Sequence, residues 1–428
     1  MALDNKSIEE LQKDAELGDD NAQYSLGLIY RDVEKDYDKA FYWCEKAAEQ
    51  GNAHAQFTLG RMYYRLKRDS EKGFEYYRQA FELYKINAEQ GFADAQKRLG
   101  EMYLFGRGVQ KNCEKAKEWY EKAAEQGDAD AQERLGKMYH FGRGVQKNYE
   151  KAKEWYEKAA EQGNSFAQWR LGVMYEDGEG IEQDYKKAKE WFEKAADQGD
   201  ADAQRCLGYM YYSGEGIDQN YAKAFYWYER AAEQGDDFAQ SQLGFMYYNE
   251  EGVEQNYKKA KQWFKKAAEQ GNSFAQWHLG FMYHVGDGTD QNYKKAKEWY
   301  EKAAEQGESA AQSSLGEMYE NGEGVERNLI KASEWYAKAA EQGNVDCSWK
   351  LAEMYEYGEG VKQNDKKAFM WYEKAAEQGS IQAQNILGYM YYYGDGVEQD
   401  YEKAKEWYQK AAEQGDSDAK EASRKFEN

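Results

Sequence analysis

Histidine is the side chain best able to exchange a proton near neutral pH, and this chain carries four: His54, His140, His278 and His284. None has a Cys or His at i+3 or i+4, the helical spacing that brings two ligands to one metal. His278 and His284 are six residues apart and face differently, so each reads as a surface or groove residue rather than a ligand. A single Ser-x-x-Lys, Ser417 to Lys420, sits near the C-terminus with no Lys-Thr-Gly to complete a serine-nucleophile site. Paired glycines such as Gly106 and Gly108 follow no strand, and Lys111 stands where a dinucleotide fingerprint wants glycine, so they read as turn glycines. Asp287-Gly-Thr-Asp290 begins like a calcium loop but lacks the twelve-residue ligand pattern. The many carboxylates lie on polar helix faces, and none has the apolar setting that would mark a general acid or base. These residues predict no enzyme, no catalytic group, no metal and no cofactor.

Aromatic rings are the residues whose chemistry points somewhere. They make up 16% of the chain, mostly Tyr, and Tyr and Trp are the usual anchors of protein interfaces. Where the rings point depends on the elements that carry them. Those elements repeat. The phrase Ala-Ala-Glu-Gln-Gly, with small variations, closes segment after segment, its last glycine recurring every 36 residues from Gly91 to Gly415. A chain built this way stacks supersecondary units along one axis.

Residues 128–163 show one unit. Ala131, Leu135, Met138 and Tyr139 fall at helical spacing and predict a first helix, A. Phe141-Gly142-Arg143-Gly144 breaks it, because glycine supplies the positive φ of a left-handed cap. Asn148 is placed to cap a second helix, B, with Tyr149, Ala152, Trp155, Tyr156, Ala159 and Ala160 on one face. Gly163 ends that helix. Gly136, Ala152 and Ala159 are small where helices must approach. The chain contains no proline, so Gly, Asn or Asp is expected to make every turn. The predicted organisation is a capping helix over 1–18, opened by the capping box Ser7-Ile8-Glu9-Glu10, two irregular repeats over 19–91, nine regular repeats over 92–415 and a terminal capping helix over 416–428. Repeat 19–51 lacks the paired glycines, and repeat 52–91 has extra residues that predict a longer helix B.

Ala131, Gln132, Leu135, Gly136, Met138, Tyr139, Gly142, Gly144, Val145, Ala152, Trp155, Ala159, Ala160 and Gly163 together resemble the Sel1-like repeat, a relative of the tetratricopeptide repeat. The same set recurs 36 residues later, with departures such as Glu250 and Ala352 in place of glycine. The resemblance implies an all-α, right-handed αα superhelical solenoid of about eleven helix-turn-helix repeats whose A helices line the concave side. It further implies adaptor roles in protein complexes without intrinsic chemistry, and a bacterial origin. Cysteine-rich Sel1-like proteins of the periplasm staple each repeat with a disulfide, and a few are linked to penicillin binding. This chain lacks the paired cysteines of that branch.

Function should lie where the repeats differ. In helix A, positions 3, 6, 10 and 13 of the repeat project away from the core side. In several repeats that face is polar, as with Asp130, Glu133, Lys137 and His140. Elsewhere it carries Phe166 and Trp169; Tyr209 and Tyr212; Phe238, Phe245 and Tyr248; Phe274, Trp277, Phe281 and His284; and, further on, Trp349, Tyr389 and Tyr392. Contiguous exposed aromatics mark binding sites. Two readings remain open: a groove for a partner protein or peptide, or lateral packing between neighbouring A helices.

Charge narrows the partner. With 58 basic and 80 acidic residues the net charge is −22, which argues against a nucleic-acid surface. The loops of the N-terminal third are the most basic region (Arg61, Arg65, Lys67, Arg68, Arg107, Lys111, Arg143, Lys147), an asymmetry that would steer an oriented partner. Cys44, Cys113, Cys206 and Cys347 are widely separated and read as thiols of a reducing compartment. The first residues show no apolar leader and no stretch is long enough to span a membrane, so a cytoplasmic protein, monomeric on its own, is expected. The function expected is a non-catalytic interaction scaffold. The alternatives are an immunity protein that sequesters a toxin, a setting in which Sel1-like repeats occur, and a penicillin-recognising hydrolase.

Overall fold

The computed structural model describes residues 8–424 and 426, and among them every regular element is a helix. The chain divides into two compact units, Met1–Gln204 with Glu215–Ile217, and Arg205–Gly214 with Asp218–Asn428.

The regular repeat takes the form its residues dictate. Helix α8, Ala129–Phe141, starts where the Asp128 side chain accepts the Ala131 N–H at 2.8 Å, and it stops at Gly142 with φ 67°. Helix α9, Tyr149–Glu161, starts on Asn148, whose Oδ1 accepts the Lys151 N–H at 2.8 Å. Ala131, Leu135 and Met138 are buried in one cluster with Ala116, Tyr120 and Ala123 of the preceding helix, and Ala152, Tyr156 and Ala159 in another with Ala167, Leu171 and Met174 of the following one. Each fully buried large side chain contributes about 1.5–3 kcal/mol. Gly136 lets the two helices meet: a Cβ there would lie 2.5 Å from the Tyr156 ring. On the outer face, Lys158 Nζ sits 4.1 Å from the Trp155 ring centroid, a cation–π pair that recurs along the B helices.

A buried glutamine joins one repeat to the next. Gln276 Nε2 donates to the Ala268 carbonyl at 3.1 Å, and its Oε1 accepts from Gln306 Nε2 at 2.8 Å. The same pair of bonds is made by Gln132 and by Gln168. The recurring Ala-Gln and Glu-Gln-Gly phrases are the two ends of this clip. Where Ser348 replaces the glutamine, Gln378 instead donates to Lys374 O of its own helix at 3.1 Å. Gln276→Ala removes both side-chain bonds, leaving the Ala268 carbonyl only the Gly271 N–H at 3.1 Å, and should cost about 1–2 kcal/mol, read as a lower urea midpoint. An unchanged midpoint would show that the clip is structurally idle.

The irregular repeats differ as their sequences suggest, with additions. Helix α5, Ser70–Glu89, has 20 residues against the usual 13. It is preceded by α4, Ala53–Met62, and a π-helical turn, Tyr63–Lys67. The expectation that Gly, Asn and Asp make every turn is corrected: Lys35, Arg68 and Glu250 adopt φ of 57°, 53° and 63°. Helix α1, Ile8–Glu16, buries Leu11 and Ala15; Ser7 of the expected capping box lies outside the described residues. Helix α24, Ser417–Arg424, closes the array, with Ala419 buried.

Candidate interaction surface

The aromatic residues of the helix-A face occupy two settings. Tyr209 and Tyr389 are exposed, at 43% and 50%. The remaining rings are half-buried against residues of their own or an adjacent repeat.

In the first unit, Phe166 and Trp169 lie on α10, Ser165–Asp177, with centroids 5.3 Å apart. Lys137 Nζ sits 3.4 Å above the Phe166 ring. The Trp169 indole N–H is buried with no hydrogen-bond partner among the described residues.

In the second unit the rings form a cluster. Phe245 and Tyr248 come from α14, Asp237–Asn249; Phe274, Trp277 and Phe281 come from α16, Ser273–Val285. Phe245 meets Phe274 at 5.9 Å, and Tyr248 meets Phe281 at 6.4 Å. The Tyr248 hydroxyl donates to Asp287 Oδ2 at 2.6 Å, and the Trp277 indole donates to Ser314 Oγ at 3.2 Å. His284 Nε2 lies 2.9 Å from Glu323 Oε2. Phe238 stands 6.3 Å from Tyr228, Tyr212 5.3 Å from Tyr221, Trp349 5.1 Å from Tyr372, and Tyr392 5.2 Å from Tyr401. The polar ends of Tyr248 and Trp277 are therefore satisfied by the neighbouring loop or helix, while the rings stay half-buried.

His278 is the hub of this cluster, and the sequence reading of it as a surface or groove residue is corrected. It is only 7% exposed. Its ring stacks on Phe264 at 4.7 Å and meets Phe274 at 4.3 Å and Trp277 at 4.5 Å. Neither ring nitrogen has a partner among the described residues, and burial pushes its pKa down to about 4. His140 is corrected likewise. It is buried beside Arg170, and burial, followed by the charges of Arg170 and Lys147, holds its pKa down to about 4. Glu133, expected on the same polar face, is buried too. Helical periodicity could not reveal these positions, because part of their cover, Phe245 and Phe264 over His278 and Arg170 over His140, comes from adjacent repeats.

Eleven stretches match the profile of the Sel1 repeat: 20–52, 53–85, 93–128, 129–164, 165–200, 201–236, 237–272, 273–308, 309–344, 345–380 and 381–416. The chain belongs to the Sel1-repeat family. Proteins of this family generally mediate protein–protein interaction. Among solved structures, the chain is similar to c5321, a protective antigen present in uropathogenic Escherichia coli strains, with 38% identity and a TM-score of 0.76 over 99% of this chain and 90% of that one. It is also similar to a Sel1 repeat protein from Oxalobacter formigenes, with 33% identity and a TM-score of 0.62 over 72% of this chain and 90% of that one. No curated protein matches the chain at a significant level. Among the described residues, no helix is long and apolar enough to cross a membrane.

One expected residue, Tyr389, lines a cavity of about 750 Å³ in the last repeats of this Sel1 array. Tyr357, Tyr408 and the carboxylates Glu356, Asp365, Asp395 and Asp418 share its wall. Sequence reasoning missed the carboxylates because they come from four different elements.

Proposed function

We propose that this Sel1-repeat chain is a non-catalytic scaffold that binds a partner protein or peptide through the aromatic face of its A helices. The observation that carries the reading is the half-buried ring cluster of α14 and α16. Rings anchored on one side and open on the other lose little conformational freedom when a partner covers them. Trp and Tyr held in this way are the commonest binding anchors. The family's general role in protein–protein interaction agrees with it.

Tyr209 and Tyr389 give the test, because their exposure makes their removal mild for folding. Wild type and a Tyr209→Ser, Tyr389→Ser variant would be used for affinity capture from the source cell's lysate, with circular dichroism on both. A protein retained by wild type and lost by the variant at equal helicity supports the face. Equal capture by the two would take Tyr209 and Tyr389 out of the working surface, and equal capture by a Phe281→Ser variant of the cluster as well, at equal helicity, would move that surface elsewhere.

A further inference from the structure

The repeat at 53–85 departs from the others at one point, and a cavity opens there. Helix α4 runs into the π-helical turn Tyr63–Lys67, and Arg68 then takes a left-handed φ of 53°. Such turns recur at functional sites, and a left-handed non-glycine residue costs about 1–2 kcal/mol. Beside this turn lies a cavity of about 310 Å³ whose lining includes Arg61, Arg65 and Arg107. The rings of Tyr64, Phe74 and Phe105 also line it, exposed at 53%, 46% and 49%.

The charges around it do not balance. Asp32 is taken by Arg31, whose Nε and Nη2 hold the two carboxylate oxygens at 2.6 and 2.5 Å. Glu101 is taken by Arg107 and by Arg98. Among the described residues, no carboxylate pairs with Arg61 or Arg65. Arg61 is half-buried, and desolvation, with the positive charge of Arg31 and Arg65 beside it, pulls its pKa below the usual arginine value. A desolvated cation facing like charges is costly unless an anion completes it. Guanidinium forks suit planar or tetrahedral oxyanions.

We propose that this cavity recognises an oxyanion carried on an acidic peptide segment. Arg61 and Arg65 hold the carboxylate or phosphate, and an adjacent apolar side chain packs on Tyr64 and Phe74. The volume is near the lower end of ligand sites, about 300–1,000 Å³, and takes one or two side chains rather than a folded surface. A nucleic acid is disfavoured because its phosphates need a long track of basic residues, and the chain as a whole carries a net charge of −22. None of the residues lining this cavity belongs to the aromatic set named above, so each proposal can fail alone.

The probe is a fluorescein-labelled hexapeptide, Glu-Asp-Phe-Asp-Glu-Glu, titrated with the full chain and followed by fluorescence anisotropy at low salt. Wild type should bind, and Arg61→Gln with Arg65→Gln should weaken binding at least tenfold. Arg143→Gln, in a regular loop of the same unit, should leave it unchanged. Arg61→Lys with Arg65→Lys keeps the charge and loses the forks; it should fall between wild type and the Gln pair, which separates recognition from misfolding. Competing peptides with Phe replaced by phosphotyrosine, or with a C-terminal amide, name the oxyanion by which displaces the probe more strongly. Equal binding by wild type and the Gln pair would overturn the proposal. So would an equal loss in Arg143→Gln, competition by an Asn/Gln version of the peptide, or displacement by a single-stranded oligonucleotide at lower concentration.

Discussion

His278→Phe should flatten the acid sensitivity of the protein. In the folded chain the His278 pKa is held down to about 4 by burial, while in the unfolded chain it returns to about 6.5. The folded state therefore binds fewer protons. Above pH 6.5 the ring is neutral in both states and contributes no pH dependence. Below it the unfolded state gains protons first, so stability is lost as pH falls towards the folded value and levels off beneath it. By pH 4 the loss from this one residue is about 3 kcal/mol. Phenylalanine keeps a ring of similar shape among Phe264, Phe274 and Trp277 and cannot be protonated. Its neutral-pH effect is the balance of slight overpacking against removal of two unpartnered ring nitrogens. The informative quantity is therefore the slope. Urea midpoints measured at pH 7 and pH 4 should diverge between variant and wild type by that amount. Parallel curves would mean that His278 is solvated in solution. His140 is also depressed to about 4, so the variant keeps part of the acid sensitivity.

Gly252→Ala and Glu250→Gly lie two residues apart and should act in opposite directions. Gly252 has φ 70°, and a Cβ there would stand 2.4 Å from the Tyr221 carbonyl carbon and 2.5 Å from its oxygen. Both neighbours are backbone, so the loop itself must move. Left-handed strain and overpacking together cost about 3 kcal/mol. Glu250 ends α14 with φ 63° at the position where the other regular A helices place glycine, such as Gly142 and Gly286. Glycine there removes the strain and loses part of the gain to unfolded-state entropy, leaving about 1 kcal/mol of stabilisation. Urea midpoints report both changes. A stabilising Gly252→Ala would show that the loop does not pack on the preceding helix as described.

The half-burial of the helix-A rings changes how that face must be tested. Replacing Trp277 removes a hydrogen bond to Ser314 as well as a contact surface, so lost binding would be confounded by lost stability. Tyr209 and Tyr389 are the exposed rings of the set, so removing them disturbs the chain's own packing less.

The sequence by itself determined the repeat, its helix limits, its caps and its core. Asn148, Gly142 and Gly136 act through neighbours within one helix pair, and the regular copies state the same pattern. Local rules of capping, φ preference and helical period therefore sufficed. Only the tertiary structure decided what lies between repeats. It buried His278 and His140, joined Gln276 to Gln306, half-covered the aromatic face and opened the arginine-lined cavity beside the π-helical turn. The physical reason is register. Gln276 and His140 meet partners 30 residues away and His278 stacks on Phe264 of the preceding repeat, across interfaces whose alignment is set by the packing of whole helices, and no local spacing encodes it.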